Sequence, residues 1–225
     1  MRDHTKIVSV VLVAAAFAIA AIAYPDLPPQ VPTHWNLSGH ADGFSSRLTG
    51  VLIAPIVMLV TWLFLVVLPR YDGSLFVKYS DRSSHSSTNR PVYGTIAIVV
   101  LALLLAIHVF TISTALGYIG SNRQPLLLAV IMSASCIVLG NYMPRVTQRN
   151  AFIGFRVPWA YASDDVWRRT QRAGGYGMVS SGVIGLIGAF AVPSMPLIAF
   201  AVATVAQLVI VMVYSYRIAH SRDAG

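Results

Sequence analysis

The sequence predicts an all-α, polytopic membrane protein with six transmembrane helices and both termini in the cytoplasm. Three observations carry this prediction: the composition, the number of apolar segments that can cross a bilayer, and the distribution of basic residues between the loops. Of the 225 residues, 56% are hydrophobic and only 11% are charged, whereas a soluble domain carries about 25% charged residues. This composition excludes a soluble enzyme, a disordered chain and a disulfide-stapled secreted module.

Six segments have the roughly 20 mostly apolar residues that a membrane-crossing helix needs. They are residues 7–24, 48–68, 92–117, 126–143, 176–192 and 197–214. The first segment could instead be a secretory signal, because Ala21-Ile22-Ala23 resembles a cleavage site. Its apolar run is longer than the usual ~7–15 residues of a signal, so we expect it to be retained. We divide the chain into an N-terminal two-helix module (1–70), a basic loop with the third helix (71–125) and a C-terminal three-helix module (126–225).

The basic residues are distributed very unevenly between the loops. The chain has 16 Lys and Arg against 8 acidic residues, a net charge of +8. Alternate loops and the two termini hold fourteen of the basic residues on one side of the predicted bundle and two on the other. Short loops rich in Lys and Arg stay in the cytoplasm, so we place the fourteen there. An even number of helices then puts both termini on that side, in a cytoplasmic (inner) membrane.

Two features of the predicted spans concern packing and polarity. In the fifth span small residues recur every four positions, at Gly177, Ser181, Gly185 and Ala189, which provides a face on which another helix can pack closely. No span has Asp, Glu, Lys or Arg near its middle, and ion-coupled transporters usually need such residues. The intramembrane polar candidate is His108. It is either a neutral imidazole hydrogen-bonded to a neighbouring helix or part of a site that lines a cavity.

The loop between the first two spans is predicted to be ordered on the outer surface. Four prolines between residues 25 and 32 exclude a helix there, and several later residues favour turns. The extracytoplasmic recognition residues that we select are His34, Trp35, Asn36, Gly39 and Asp42. His34, His40 and Asp42 are residue types that bind zinc, but their spacing matches no standard motif. We therefore predict no metal, no other cofactor and no catalytic residue.

The loop between the fourth and fifth spans is predicted to contain a short cytoplasmic helix. Ser163 is a suitable N-cap, Asp164-Asp165 complement the positive helix start, and Gly174-Gly175 would end it. Such a helix would lie along the inner leaflet with its arginines near anionic lipid, either as an anchor or as a docking site for a cytoplasmic protein. The residues that we select for contact with lipid or a partner are Arg156, Trp159, Trp167, Arg168 and Arg169.

Two separated stretches carry a resemblance to a known family. The outer stretch is Pro32-Thr33-His34-Trp35-Asn36, followed by Gly39 and Asp42-Gly43. The inner stretches are Gly140-Asn141-Tyr142-Met143-Pro144, Phe152-Ile153-Gly154-Phe155-Arg156, Pro158-Trp159 and Val166-Trp167-Arg168-Arg169-Thr170. Together they resemble the SdpI family of immunity-type bacterial membrane proteins, the first as its N-terminal extracytoplasmic signature and the others as its C-terminal half. The resemblance covers about residues 7–68 and 126–214, and Gln171 stands where it leads us to expect His.

The resemblance implies a function that composition alone does not. Founding members protect a producing cell from its own secreted toxic peptide and are thought to hold a cytoplasmic transcriptional repressor at the membrane. We therefore expect an immunity and signalling protein, not an enzyme. Its partners would be a toxic peptide outside and a repressor and anionic lipids inside, with no direct contact to nucleic acid. The alternatives are a small transporter or flippase of a lipid or amphipathic peptide, with His108 lining its path, and a metalloenzyme built on the outer histidines. The oligomeric state is not predicted.

Overall fold

The structure, a computed structural model, describes residues 3–67, 90–150 and 153–221. Its helices confirm the predicted all-α class, because six of them within these ranges are long and apolar enough to cross a membrane. The protein is therefore a multi-pass membrane protein. The six helices are α1 Asp3–Ala23, α2 Arg47–Trp62, α3 Arg90–Ala115, α4 Gln124–Tyr142, α5 Asp164–Ala191 and α6 Ile198–His220. A π-helical turn, Leu63–Val67, extends α2.

The largest departure from prediction is at α5, which is one continuous helix of 28 residues. The prediction that Gly174-Gly175 ends a short helix before a separate span is wrong. The two glycines instead allow neighbouring segments to approach: a Cβ on Gly174 would overlap the Phe155 ring, and a Cβ on Gly175 would lie 2.7 Å from the Gly140 carbonyl oxygen. As predicted, Ser163 is the N-cap, and its side chain accepts from Val166 N.

The outer loop, predicted only as an ordered segment, folds into a β-hairpin. The prediction that its prolines exclude any helix is wrong at its start, where Tyr24–Asp26 form one 3-10 turn with Pro25 in its first turn, a position at which proline needs no N–H. Strands β1 (Gln30–Trp35) and β2 (Ala41–Ser46) pair antiparallel, from Gln30 opposite Ser46 to Trp35 opposite Ala41. The register shifts on both sides of His34. Because the shifts add one residue to each strand, the pairing is restored at the turn. We call β1, β2 and their turn the outer hairpin.

The chain reverses direction between successive helices, so its loops lie at two ends of the bundle. The outer hairpin shares one end with residues 116–123 and 192–197, as the cluster formed by Phe110, Leu128 and Leu197 with Trp35 shows. We call this the outer end. The opposite, inner end holds the segment between α4 and α5, which packs on the start of α3 through Ile96.

Within the described ranges, basic residues concentrate at the inner end. Those at the outer end are Arg47 and Arg123, and those at the inner end are Lys6, Arg90, Arg145, Arg149, Arg156, Arg168, Arg169, Arg172 and Arg217. The predicted basic loop after α2 lies outside the described residues. The asymmetry agrees with the predicted orientation, which itself stays a prediction.

The small residues of α5 pack against both of its neighbours in the C-terminal half. Gly177 faces the Gln207 side chain, Gly185 faces Phe200, and the Ser181 hydroxyl donates to Ala203 O of α6 at 3.0 Å. On another face, Gly182 approaches the Ser133 carbonyl of α4. The predicted packing face is confirmed, and it makes α5 the central helix of this half.

Candidate functional site

The turn of the outer hairpin is built by two of the predicted recognition residues. Asn36 N donates to His40 O at 3.0 Å, and His40 N donates to the Asn36 side-chain oxygen at 3.1 Å. Gly39 N donates to Asn36 O at 2.8 Å, and Gly39 has a φ of +77°, a conformation that glycine adopts without strain. Asn36 and Gly39 therefore shape the turn.

The outer hairpin is fixed to the bundle by its inward residues. The Trp35 ring lies 5.2 Å from the Phe110 ring of α3, centroid to centroid, and Val31 is fully buried. A Cβ on Gly39 would overlap Pro125 at the start of α4, so the turn rests directly on the C-terminal half. Trp35 and Gly39 thus join a segment of the N-terminal half to the C-terminal half.

The residues that face outward on the outer hairpin form a small polar and apolar surface. The His34 Nδ1 atom lies 2.6 Å from Asp42 Oδ1, with the side chains 72% and 45% exposed. Phe44 and Leu37 are 55% and 53% exposed. We call these four residues the outer recognition surface. Leu37 and Phe44 were missed as site residues, although the alternation along β2 places Phe44 on the same face as Asp42.

The three possible zinc ligands of the loop do not converge. Asp42 pairs with His34, and the His40 backbone instead closes the turn with Asn36. No group of three or more His, Cys, Asp or Glu side chains that could hold a metal occurs in residues 3–67, 90–150 and 153–221. The short His34–Asp42 contact instead orients the imidazole, because Asp42 engages Nδ1 and leaves Nε2 directed elsewhere.

At the inner end, residues 143–150 and 153–163 fold over the first turns of α5, and we call these residues and the first turns of α5 the inner layer. Trp167 is its centre: the side chain is fully buried, its Nε1–H donates to Val146 O at 2.9 Å, and its ring lies 5.1 Å from that of Tyr161. The prediction that Trp167 faces lipid or a partner is wrong. Because α5 is one continuous helix of the bundle, its first turn is covered by the preceding loop segment. The Trp167 side chain fills the space between that segment and α5.

Gln171 has a role in the inner layer that sequence reasoning missed. Its side-chain oxygen accepts from Phe155 N at 2.9 Å, and its Nε2 donates to Phe155 O at 3.1 Å. The amide thus pairs with the backbone as a neighbouring strand would. Gly154 has a φ of +119°, and a Cβ there would lie 2.5 Å from the Gln171 side-chain oxygen. Glycine is therefore required beside this pairing.

The arginines and tryptophans that we selected in this region separate into two groups. Arg156, Arg168 and Arg169 are exposed, and Arg169 lies 3.7 Å from Asp165 one turn earlier on α5. Trp159 is half-buried and packs edge-on against Tyr216 of α6, with ring centroids 5.5 Å apart. The arginines thus lie at the surface, whereas both tryptophans hold the inner layer to the helices.

Comparison with known proteins finds two family models that match separate parts of the chain. Residues 147–215 match the SdpI/YfhL protein family, and residues 11–59 match a domain of unknown function, DUF1648. The chain is 26% identical over 211 residues to Immunity protein SdpI of Bacillus subtilis, covering 94% of each protein. The chain is thus similar to SdpI-family membrane proteins along nearly its whole length. No solved structure matches it.

A second relative is similar over a shorter stretch. Over 48 residues the chain is 35% identical to the uncharacterized membrane protein YbgB of Bacillus subtilis, which is 21% of the chain and 53% of that relative. The SdpI/YfhL match includes most of the inner layer, α5 and most of α6, and the DUF1648 match includes the outer hairpin. The resemblance predicted from the two loops is confirmed. Phe152, one of the residues that carry it, lies outside the residues that the structure describes.

The predicted intramembrane residue His108 lies inside the bundle. The side chain is fully buried beside the backbone of Ala16 in α1. Neither ring nitrogen makes a hydrogen bond of good geometry within the described ranges, so the hydrogen bond to a neighbouring helix that we considered is not seen. The residue is separate from both the outer recognition surface and the inner layer.

Proposed function

We propose that this protein gives a bacterium immunity to a secreted toxic peptide, which it binds outside the cytoplasmic membrane at the outer recognition surface. The observation that carries the proposal is the similarity to Immunity protein SdpI over 94% of both chains. It includes the outer hairpin, whose exposed His34–Asp42 pair has no packing role. A paired, solvent-exposed imidazole and carboxylate beside Phe44 offer both polar and apolar contacts to a peptide.

The inner layer is the proposed site of the cytoplasmic contacts. Exposed Arg156 and Arg168 would meet the anionic lipid surface or a cytoplasmic repressor. The two sites share helix α3, since Phe110 near its outer end contacts Trp35 and Ile96 near its inner end packs in the cluster around Trp167. A peptide that favours one arrangement of the hairpin could thereby shift the packing of the inner layer.

The proposal predicts that His34→Ala and Asp42→Ala proteins protect poorly. Hydrogen bonds to charged groups contribute about 1.5–3 kcal/mol. We therefore expect the toxin concentration that cells survive to fall at least about tenfold in each variant. The assay measures the growth of a toxin-sensitive strain that produces each protein. The cells grow in spent medium of Bacillus subtilis that secretes the toxin to which Immunity protein SdpI confers immunity.

Two controls make this assay decisive. Immunity protein SdpI is the positive control, and His40→Ala is the matched variant, because His40 is an exposed histidine whose side chain lies outside the His34–Asp42 pair. If the positive control protects and the wild-type chain does not, immunity to this toxin is refuted. If His34→Ala and Asp42→Ala protect as fully as His40→Ala at equal membrane levels, the outer recognition surface is assigned wrongly.

A further inference from the structure

The outer strand of the hairpin has one side without a neighbouring strand. Within residues 3–67, 90–150 and 153–221, the sheet consists of β1 and β2. Strand β1 packs on α2 and α3 and buries Val31 and Pro32, whereas β2 packs on β1 and α2 and exposes Asp42, Phe44 and Ser46. The free edge of the sheet is therefore the side of β2 that faces away from β1.

The alternation of hydrogen-bonded and non-hydrogen-bonded pairs determines which backbone N–H and C=O groups of β2 point to that edge. Beyond the end of the strands, Arg47 N donates to Pro29 O at 3.0 Å. Hydrogen-bonded and non-hydrogen-bonded pairs alternate along an antiparallel ladder. Counting inward from the hydrogen-bonded Pro29–Arg47 pair, the Gln30–Ser46 pair is not hydrogen-bonded, the Val31–Ser45 pair is, and the Pro32–Phe44 pair is not. Pro32 fits this position, because it has no N–H to donate. The Phe44 N–H and C=O consequently point away from β1.

Near Phe44 this edge lacks two kinds of residue by which proteins usually prevent strand addition; the charge and the extra residue of β2 are both at Asp42, closer to the turn. Exposed edge strands are commonly protected by lysine or proline, and β2, with the sequence Ala-Asp-Gly-Phe-Ser-Ser, has neither. The donor and acceptor of one exposed residue, at the spacing of a β-ladder, are complementary to another extended backbone. The exposed Phe44 ring beside them can contact a side chain of the added segment.

We propose that the toxic peptide binds in part by strand addition, with an extended segment pairing to β2 through the Phe44 N–H and C=O. This inference rests on the proposed function and specifies how the outer recognition surface is used. The peptide backbone, rather than a particular side chain, would then supply part of the affinity.

The test replaces Phe44 in two ways in the immunity assay. Phe44→Pro removes the outward N–H and places a ring on the edge without removing a hydrogen bond of the hairpin, whereas Phe44→Leu keeps the N–H and an apolar side chain. We expect Phe44→Pro to tolerate at least about tenfold less toxin and Phe44→Leu to stay within about threefold of the wild type. If the wild type protects and Phe44→Pro protects equally, strand addition is refuted while the proposed function stands.

A second measurement on the unaltered protein decides the matter if Phe44→Pro fails to fold. Amide hydrogen exchange is followed in lipid nanodiscs with and without the purified toxin. Bound toxin should slow exchange at Phe44 and leave Ser45, already bonded to Val31, unchanged. Unchanged exchange at Phe44 with toxin bound contradicts the proposal. Protection of Phe44 without toxin that rises with protein concentration also contradicts it, because a second copy then occupies the edge.

Discussion

Gly175→Leu is expected to prevent α4 and α5 from packing and to remove the folded protein from the membrane. A Cβ at Gly175 would lie 2.7 Å from the Gly140 carbonyl oxygen, and a Cβ at Gly140 would lie 2.7 Å from the Gly175 carbonyl oxygen. Both neighbours are backbone, so no side-chain rotation can relieve the overlap. Excess volume in a packed interior costs about 1–3 kcal/mol even when side chains can adjust, and more is expected here.

The measurement is the amount of monodisperse protein after detergent extraction and its thermal unfolding midpoint. Gly175→Ala should lower the midpoint, and Gly175→Leu should leave little folded protein. The matched control is Ala206→Leu, which introduces the same leucine side chain at an exposed position of α6 and should behave as the wild type. If Gly175→Leu and Ala206→Leu extract and melt alike, the close crossing of α4 and α5 is incorrect.

Trp167→Ala is expected to open the inner layer. The ring is fully buried, and its N–H donates to Val146 O. Truncation of a buried tryptophan costs about 3–5 kcal/mol. Trp167→Phe keeps an aromatic ring but leaves the buried Val146 carbonyl without this donor, which should cost about 1–3 kcal/mol.

Limited trypsin digestion measures this opening directly, because Arg156 is exposed in the inner layer. Cleavage there should be much faster in Trp167→Ala than in the wild type, with Trp167→Phe between them. Arg168→Ala is the matched control: it alters the next, exposed residue of α5 and should leave cleavage at Arg156 unchanged. Equal cleavage rates in Trp167→Ala and the control would show that Trp167 does not hold the inner layer.

The membrane class and the number of spans could be predicted from the sequence, because apolar length and composition determine them locally. The continuity of α5 could not. Gly174-Gly175 ends many helices, and only the position of Phe155 and Gly140 shows that these glycines permit close contact instead. Local pattern cannot reveal which distant segment a glycine faces.

The candidate site residues show the same limit. His34 and Asp42 are exposed and paired as a recognition role requires, but Trp35 packs on Phe110 and Trp167 on Tyr161. A tryptophan near a predicted membrane surface has the same sequence context whether it contacts lipid or fills the core. Gln171 is not among the predicted site residues, because its role is to bind the Phe155 backbone, 16 residues away in the chain.

The central claim is that the outer hairpin and the inner layer lie on opposite sides of the cytoplasmic membrane. Cys136 is the single cysteine, so a Cys136→Ser background allows new cysteines at Leu37 and Arg156, which are both exposed. Cells producing Leu37→Cys or Arg156→Cys are treated with a membrane-impermeant maleimide before and after permeabilisation. The account predicts labelling of Leu37→Cys in intact cells and of Arg156→Cys only after permeabilisation. Labelling of both in intact cells, or of neither, would contradict it.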